Sequence, residues 1–128
     1  MVIDTSALIA ILHNEAERQR FAEKIETDAV RLLSAVSLLE ASMVIESRHR
    51  EAGARELDLL LLRAGIEVVA VDADQTRLAR EAWRRHGKGR HAAAFNLGDC
   101  FSYALSKATG EPLLFKGSDF ARTDVIAA

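Results

Sequence analysis

Short apolar, β-branched runs alternate with longer amphipathic stretches along this chain. The short runs predict strands, and the longer stretches have the apolar spacing of helices. Such alternation is the pattern of parallel strands joined by helical crossovers, so we predict an α/β fold with a central, mainly parallel sheet of 4-5 strands covered on both faces. The strands are expected at Val2-Ile3, Val30 to Leu33, Glu67 to Val71, Pro112 to Phe115 and Asp124 to Ile126, and the helices at Ala7 to Ile25, Val36 to Arg50, Ala54 to Ala64, Asp74 to His86 and Gly98 to Thr109.

The chain is expected to form one domain, residues 1–128, in the cytoplasm. Its length of 128 residues suits a single core, and no Gly- or Ser-rich tract separates two parts. Hydrophobic residues make up 49% of the chain and charged residues 28%, which is typical of a globular protein.

No uncharged run approaches the roughly 18 to 20 residues that cross a bilayer. Asp4 interrupts the first apolar run at once, which argues against a secretory signal.

Four acidic residues are placed by this fold at one edge of the predicted sheet. Asp4 follows the first strand, and Asp119 follows the Pro112 to Phe115 strand after a short turn. Glu40 lies about one turn into the helix after the second strand, and Asp99 begins the last helix. Because ligands of open α/β sheets bind at the carboxyl ends of the strands, these acids are expected to meet in one site.

Carboxylates that meet in one site repel one another, which predicts either raised pKa values or a bound cation. Hard divalent cations prefer oxygen ligands, and Mg²⁺ typically takes one or two carboxylates while it keeps several waters. Such an ion activates water and stabilises charge on a phosphodiester. The acids therefore favour Mg²⁺, with Mn²⁺ as a substitute, and the chemistry of a nuclease.

The same acids also have a structural explanation as helix caps. Asp4 suits an N-cap, and Asp99 lies in a first turn, where the helix dipole favours an acid. Ser37 and Glu40 have the spacing of a capping box. Capping does not require acids from separate segments to share one edge, however, so their convergence favours a common site.

Four segments of the sequence resemble a known family. They read VIDTSAL, SAVSLLEAS, NLGDCFSYALSKATGEPLLFKGSDF and RTDV. Together they are similar to the motifs of PIN-domain toxins of the VapC type, from bacterial VapBC toxin–antitoxin pairs, over almost the whole chain. One segment departs from the pattern, because many PIN domains carry a Thr or Ser and an Asn before the last acid. Here Phe115-Lys116-Gly117-Ser118 precedes Asp119.

The resemblance implies a PIN-like three-layer α/β/α sandwich and a metal-dependent endoribonuclease. Matched motif by motif, the family's metal-binding acids fall on Asp4 and Asp99, with Glu40 as the third acid and Asp119 as the fourth. Asp124 is a rival to Asp119 for the last position. The resemblance further implies that water activated by Mg²⁺ hydrolyses tRNA or another structured RNA, which leaves a 5′-phosphate and a 3′-hydroxyl.

The partners that the resemblance implies are a VapB-like antitoxin and a second copy of the chain in a homodimer. We expect the antitoxin tail to lie near the acids, in a groove that involves the Val36 to Ile45 helix and the Leu57 to Leu62 segment. That second segment is apolar around most of a helix, for which core packing is the simpler interpretation.

Other polar residues are expected to support the site or the RNA. The hydroxyls of Thr5 and Ser6 are placed to orient Asp4 or a metal-bound water, although either residue also suits a helix cap. Since 17 Lys and Arg nearly balance 19 Asp and Glu, a polyanion must be held by a local patch. We expect contacts to the RNA backbone from a basic, glycine-bearing segment and from one lysine near the acids: Arg84, Arg85, Lys88, Arg90 and Lys116.

Three other classes of protein fit this sequence less well than a nuclease does. A receiver-like signalling module also has a lysine after a late strand, but it needs an early acid pair, and Asp4 stands alone. A phosphatase of the haloacid-dehalogenase type needs an Asp where Ser6 lies. A PIN fold kept only for binding is disfavoured because all four acids are present. Cys100 is expected to be a small buried hydrophobe rather than a nucleophile.

Overall fold

The computed structural model describes residues 1–128 and contains a sheet of four parallel strands in the order β3-β2-β1-β4. Strands and helices alternate along the chain, as the sequence predicts. The strands are β1 (Val2–Ile3), β2 (Leu32–Ser34), β3 (Glu67–Val69) and β4 (Leu113–Leu114). The helices are α1 (Thr5–Leu12), α2 (Arg18–Thr27), α3 (Ala35–Arg63), α4 (Ala73–His86) and α5 (Leu97–Thr109), followed by a short 3-10 helix at Phe120–Arg122.

Two apolar clusters cover the two faces of the sheet. Successive side chains of a strand point to opposite faces. Accordingly, Ile3 and Leu114 belong to a cluster with α1, α2 and α3, whereas Val2 and Leu113 belong to a cluster with α4 and α5. The predicted three-layer α/β/α architecture is therefore confirmed. Because all four strands are parallel, their carboxyl ends lie at the same edge of the sheet, which the helices on the two faces do not cover.

The predicted helix from Ala7 to Ile25 was wrong, because the structure contains α1 and α2 instead. Asn14 lies between them with φ 53°, in the left-handed region that Asn tolerates better than most residues. The chain therefore turns between two short helices, although the apolar spacing continues through both. The predicted separation within residues 36–64 is present, since Arg50 has non-helical angles (φ 51°, ψ −138°) inside α3.

The predicted fifth strand from Asp124 to Ile126 was also wrong. This segment makes only an isolated parallel bridge between Leu113 and Ala127 at the edge of the sheet. The side chain of Asp124 accepts hydrogen bonds from Tyr103 and Lys107, which connect the segment to α5.

None of the helices combines the length and the apolar character that a membrane-spanning helix needs.

We predict that Phe21→Ala will destabilise the fold by about 3–5 kcal/mol, since Phe21 is 1% exposed and joins α2 to the main core. Urea unfolding followed by circular dichroism measures this loss. Leu62→Ala is the matched control, because Leu62 is 78% exposed and its truncation should change the free energy of unfolding by less than about 0.5 kcal/mol. Equal losses in both variants would contradict the assignment of the core.

Candidate functional site

A cleft of about 470 Å³ at the carboxyl edge of the sheet brings together three of the predicted acids. Asp4, Glu40 and Asp99 all line this cleft, which we call the acidic cleft. They come from the end of β1, the first half of α3 and the first turn of α5. The topology therefore places side chains that are far apart in sequence beside one another.

Asp4 is buried, and both of its carboxylate oxygens accept hydrogen bonds. The backbone N–H and the hydroxyl of Ser6 donate to Oδ2 at 2.9 and 2.6 Å, and the hydroxyl of Ser102 donates to Oδ1 at 2.5 Å. Asp4 is thus the N-cap of α1 and a member of the cleft at the same time. These bonds replace the water that a buried carboxylate loses.

The two predicted supporting hydroxyls have different partners. Ser6 contacts Asp4 as expected, and its oxygen also accepts a hydrogen bond from the backbone N–H of Lys116. Thr5 does not reach Asp4, because its hydroxyl donates to the carbonyl oxygen of Ser37 at 3.2 Å. Ser6 therefore links Asp4 to the segment after β4, whereas Thr5 links α1 to α3.

Asp99 forms a capping box with Asn96 at the start of α5. The Asp99 N–H donates to the side-chain oxygen of Asn96 at 2.9 Å, and the Asn96 N–H donates to Asp99 Oδ2 at 3.0 Å. Burial raises the pKa of Asp99 to about 6; the bond from Asn96 lowers it, and the negative charges of Asp4, Glu40 and Asp119 raise it. Capping occupies one carboxylate oxygen and leaves the cluster of acids intact.

Glu40 reaches the first turn of α5, where Gly98 provides the space for its carboxylate. An added Cβ at Gly98 would overlap both oxygens of Glu40 and lie 2.6 Å from its Cδ. Glu40 is not part of a capping box with Ser37, because Ser34 is the N-cap of α3 and accepts from the Val36 N–H. A side chain at position 98 would therefore displace the Glu40 carboxylate from its place beside the first turn of α5.

The structure separates the two candidates for the fourth acid. Asp119 is exposed and does not line the cleft, but it lies close enough for its charge to raise the pKa of Asp99. Asp124 lies in a different cleft with Tyr103 and Lys107, whose hydrogen bonds lower its pKa to about 2. Asp119 is therefore the acid at the margin of the site.

The donor set of the acidic cleft fits a hard divalent cation. All candidate donors are carboxylate oxygens. Burial and the neighbouring negative charges both raise the pKa of Asp99, and a bound cation would favour its ionised form. No three His, Cys, Asp or Glu side chains come close enough to enclose an ion by themselves. An ion bound by one or two carboxylates that keeps several waters is the arrangement typical of Mg²⁺.

Ser102 belongs to the site through its hydrogen bond to Asp4, a role that the sequence did not predict. Its side chain is fully buried, donates to Asp4 and lies 3.1 Å from the hydroxyl of Ser37. The two serines join α3 and α5 behind Asp4. Their contacts link residues 65 and 98 positions apart, so no local motif in the sequence indicates them.

The predicted basic residues are dispersed over four places. Lys88 and Arg90 lie in the loop after α4, where the Arg90 guanidinium lies over the Trp83 ring. Arg84 is exposed in the last turn of α4, while Arg85 lies in the cleft of Asp124. Lys116 does line the acidic cleft, but it forms ion pairs with Glu15 and Glu17 that raise its pKa.

Cys100 is 4% exposed, as expected of a small buried hydrophobe. Burial and the charge of Asp99 raise the pKa of its thiol to about 11. The thiolate, which is the reactive form, is therefore scarce at neutral pH.

Comparison with known proteins identifies relatives over almost the whole chain. A family model of the PIN domain matches residues 1–126. Ribonuclease VapC30 of Mycobacterium tuberculosis is 57% identical over 125 residues, which cover 98% of this chain and 95% of the relative. Ribonuclease VapC of Mycolicibacterium smegmatis is 58% identical over 127 residues, which cover 99% of this chain and 98% of the relative.

The fold is also similar to a solved structure. That structure is VapC20 of Mycobacterium tuberculosis, described as a toxin that cleaves the sarcin-ricin loop. The TM-score is 0.80 with 21% sequence identity, and the match covers 99% of this chain and 97% of the other. The matches contradict the receiver-like and dehalogenase-type alternatives, which require other folds.

We predict that Asp99→Asn will stabilise the metal-free protein at pH 7.5 but not at pH 4. The folded-state pKa of about 6 lies above the ordinary 3.8, so the folded state keeps a proton that the unfolded chain has lost. Stability therefore falls as pH rises between these values. The amide keeps an oxygen for the Asn96 N–H and removes this loss, on the order of 1 kcal/mol after solvent screening. Urea unfolding in EDTA at both pH values measures it, and equal differences at the two would contradict the raised pKa.

Proposed function

The chain belongs to the PIN-domain family and, within it, to the VapC ribonucleases, and from this premise we propose that it is the toxin of a type II toxin–antitoxin pair. In this function it is an endoribonuclease that hydrolyses phosphodiester bonds of RNA. One observation carries the proposal: Asp4, Glu40 and Asp99, from three separate segments of the chain, line a single cleft. Burial raises the pKa of Asp99 to about 6, and the charges of the neighbouring acids raise it further. Helix capping alone would not require acids from separate segments to share one cleft.

The proposed cofactor is Mg²⁺, with Mn²⁺ as a substitute. One or two of the acids Asp4, Asp99 and Glu40 would bind the ion directly and the others through its waters, with Asp119 as the fourth acid of the site. When bound, the ion supplies positive charge that activates water and stabilises the negative charge of the reacting phosphodiester. The fit of carboxylate oxygens to a hard cation supports this assignment.

The residues of the chain orient and polarise the site. The three hydrogen bonds donated by Ser6 and Ser102 hold both carboxylate oxygens of Asp4 in place. Gly98 leaves space for Glu40 beside Asp99, whose pKa is raised to about 6 by burial and further by the charges of the neighbouring acids. Through these contacts the acids are aligned before the RNA arrives, which lowers the cost of reorganisation during the reaction.

The proposed substrate is a loop of tRNA or of another structured RNA, cut to a 5′-phosphate and a 3′-hydroxyl. RNA phosphates that lie beside the acids are repelled by them, so basic side chains nearby must contact the phosphates. Lys88 lines a cleft with Asn96 and Leu97 at the start of α5, and Arg90 lies over Trp83 of the same cleft. These two residues and the exposed Arg84 are proposed as phosphate contacts. Arg85 lies apart from the acidic cleft, and Lys116 must exchange its carboxylate partners for a phosphate before it binds RNA.

The proposed partners are a VapB-like antitoxin and a second copy of this chain, in the cytoplasm. Leu39 and Met43 are 62% and 65% exposed on the first half of α3, one turn apart and beside Glu40, and such an apolar patch suits a protein partner. Leu57 is buried, but Leu60 lines a groove against α1 and α2. The exposed patch lies on the first half of α3 and the groove on its second half, and we propose that the antitoxin contacts both.

We predict that Asp4→Asn and Asp99→Asn will abolish RNA cleavage while the protein stays folded, because each removes a negative ligand from the cation. The antitoxin-free chain is incubated with total bacterial RNA and Mg²⁺, Mn²⁺ or EDTA, and new 5′ ends are sequenced. Asp74→Asn is the matched control, since Asp74 is an exposed acid in the first turn of α4.

Discrete cuts that need metal and are lost only in the two site variants support the proposed activity and identify the RNA. Cuts that persist in EDTA, or in both site variants, would contradict the metal mechanism. A wild-type protein that binds RNA and the antitoxin without any cleavage would instead indicate a PIN domain retained for binding.

We further predict that Ser102→Ala will raise the Mg²⁺ concentration for half-maximal cleavage by about tenfold, because a carboxylate ligand loses the hydroxyl that orients it. Ser47→Ala is the control, as the exposed Ser47 hydroxyl bonds only to the nearby Val44 carbonyl. An unchanged metal dependence in Ser102→Ala would rule out a positioning role for this serine.

A further inference from the structure

A second cleft adjoins the acidic cleft and has the opposite character. It occupies about 560 Å³ between α4 and α5, and Asn96 lines both clefts. We call it the Trp83 cleft. The backbone and side chain of Asn96 are held by the capping box with Asp99, so the passage from one cleft to the other has a fixed wall.

The Trp83 cleft is apolar and largely preformed. Ala79, Phe95 and Cys100, which form part of its lining, are each at most 5% exposed and belong to the core. Above them, Trp83 and Leu97 are 46% and 71% exposed. Aromatic and aliphatic surface of this extent is costly to leave in water, and it suits a flat apolar ligand.

The indole ring of Trp83 is held in position by its neighbours. The guanidinium of Arg90 lies 4.1 Å from the ring centroid, which is the geometry of a cation–π contact. Gly87 lies against the edge of the ring, where an added Cβ would be 2.7 Å from Cδ1 and 2.9 Å from Nε1. A ring restrained in this way loses little conformational entropy when a ligand stacks on it.

The charges around the Trp83 cleft favour an anionic ligand. Its ten lining residues include the cations Arg80 and Lys88 and no acid. The guanidinium of Arg90 adds a third positive group at the ring. An occupant with an aromatic part for Trp83 and an anionic part for these cations has the chemistry of a nucleotide in single-stranded nucleic acid.

We infer that the Trp83 cleft is a base-binding subsite, in which one unpaired nucleobase of the RNA stacks on Trp83 while its phosphates contact Lys88 and Arg80. This inference rests on the proposed ribonuclease function and deepens it. Because Asn96 separates the subsite from the acids, the stacked base belongs to a nucleotide close to the bond that is cut. The subsite thereby selects unpaired RNA, since a base in a duplex is not free to enter it.

The experiment uses the fluorescence of Trp83, which is the only tryptophan of the chain. The full-length protein in EDTA, which prevents metal-dependent cleavage, is titrated with single-stranded hexaadenylate and with an abasic hexamer of the same phosphate charge. We expect strong quenching by hexaadenylate and little by the abasic strand. Equal effects of the two strands would overturn the inference, because phosphate contacts alone would then account for binding.

Variants test whether the affinity comes from the ring. Trp83→Ala should weaken hexaadenylate binding by about tenfold, measured by anisotropy of a labelled strand, and should leave the affinity for the abasic strand unchanged. Trp83→Phe should restore most of the difference, because a smaller aromatic ring still stacks. Ile126→Ala is the matched control, an exposed apolar residue that does not line the cleft. Unchanged affinity in Trp83→Ala would overturn the subsite.

Two further results separate this inference from its alternatives. If Trp83 emission shifts with protein concentration alone and sedimentation shows a dimer that Trp83→Ala dissociates, a second copy occupies the cleft and the inference fails. If the wild type still makes cuts that require Asp99 while the stacking tests fail, the proposed ribonuclease function stands and only the subsite is wrong.

Discussion

The buried carboxylate of Asp4 is the interaction on which the arrangement of the site depends. A carboxylate that is 3% exposed must replace its lost hydration with hydrogen bonds. The donors come from Ser6 on α1 and from Ser102 on α5, and Ser6 in turn accepts from the backbone of Lys116 after β4. One side chain therefore fixes the relative positions of three segments around the end of β1. The convergence of the other acids follows from that frame.

The cluster of acids opposes folding while it prepares the site. In the metal-free state, Asp99 is half-buried beside other carboxylates, and burial followed by these negative charges raises its pKa to about 6, which disfavours its ionised form. The capping box with Asn96 offsets part of that cost by hydrogen bonding to the charged form. Stability and function thus make different demands on the same residue, as is common where a cation is to be bound.

The sequence predicts those parts of the structure that local pattern determines. Asp4 and Asp119 follow predicted strands, and Asp99 begins a predicted helix. Because parallel strands share one carboxyl edge, these positions predicted that the three acids lie at the same edge of the sheet. The same reasoning failed at Asn14, where a positive φ divides a continuous apolar pattern, and near Asp124, where contacts with α5 replace strand pairing. Ser102 and Trp83 were missed for a related reason, since their importance lies in contacts that no periodicity encodes.

Asn96 explains how a chain of net charge −2 can present acids and an anion-binding surface side by side. The residue lines both clefts, and its reciprocal bonds with Asp99 set the first turn of α5 as the boundary between them. On one side, carboxylates exclude anions unless a cation is bound. On the other side, Lys88 and Arg80 attract them and the exposed Trp83 ring offers a flat surface. An RNA strand held on the cationic side would bring a phosphate to the acids only when a metal neutralises them, so substrate binding and metal binding support each other.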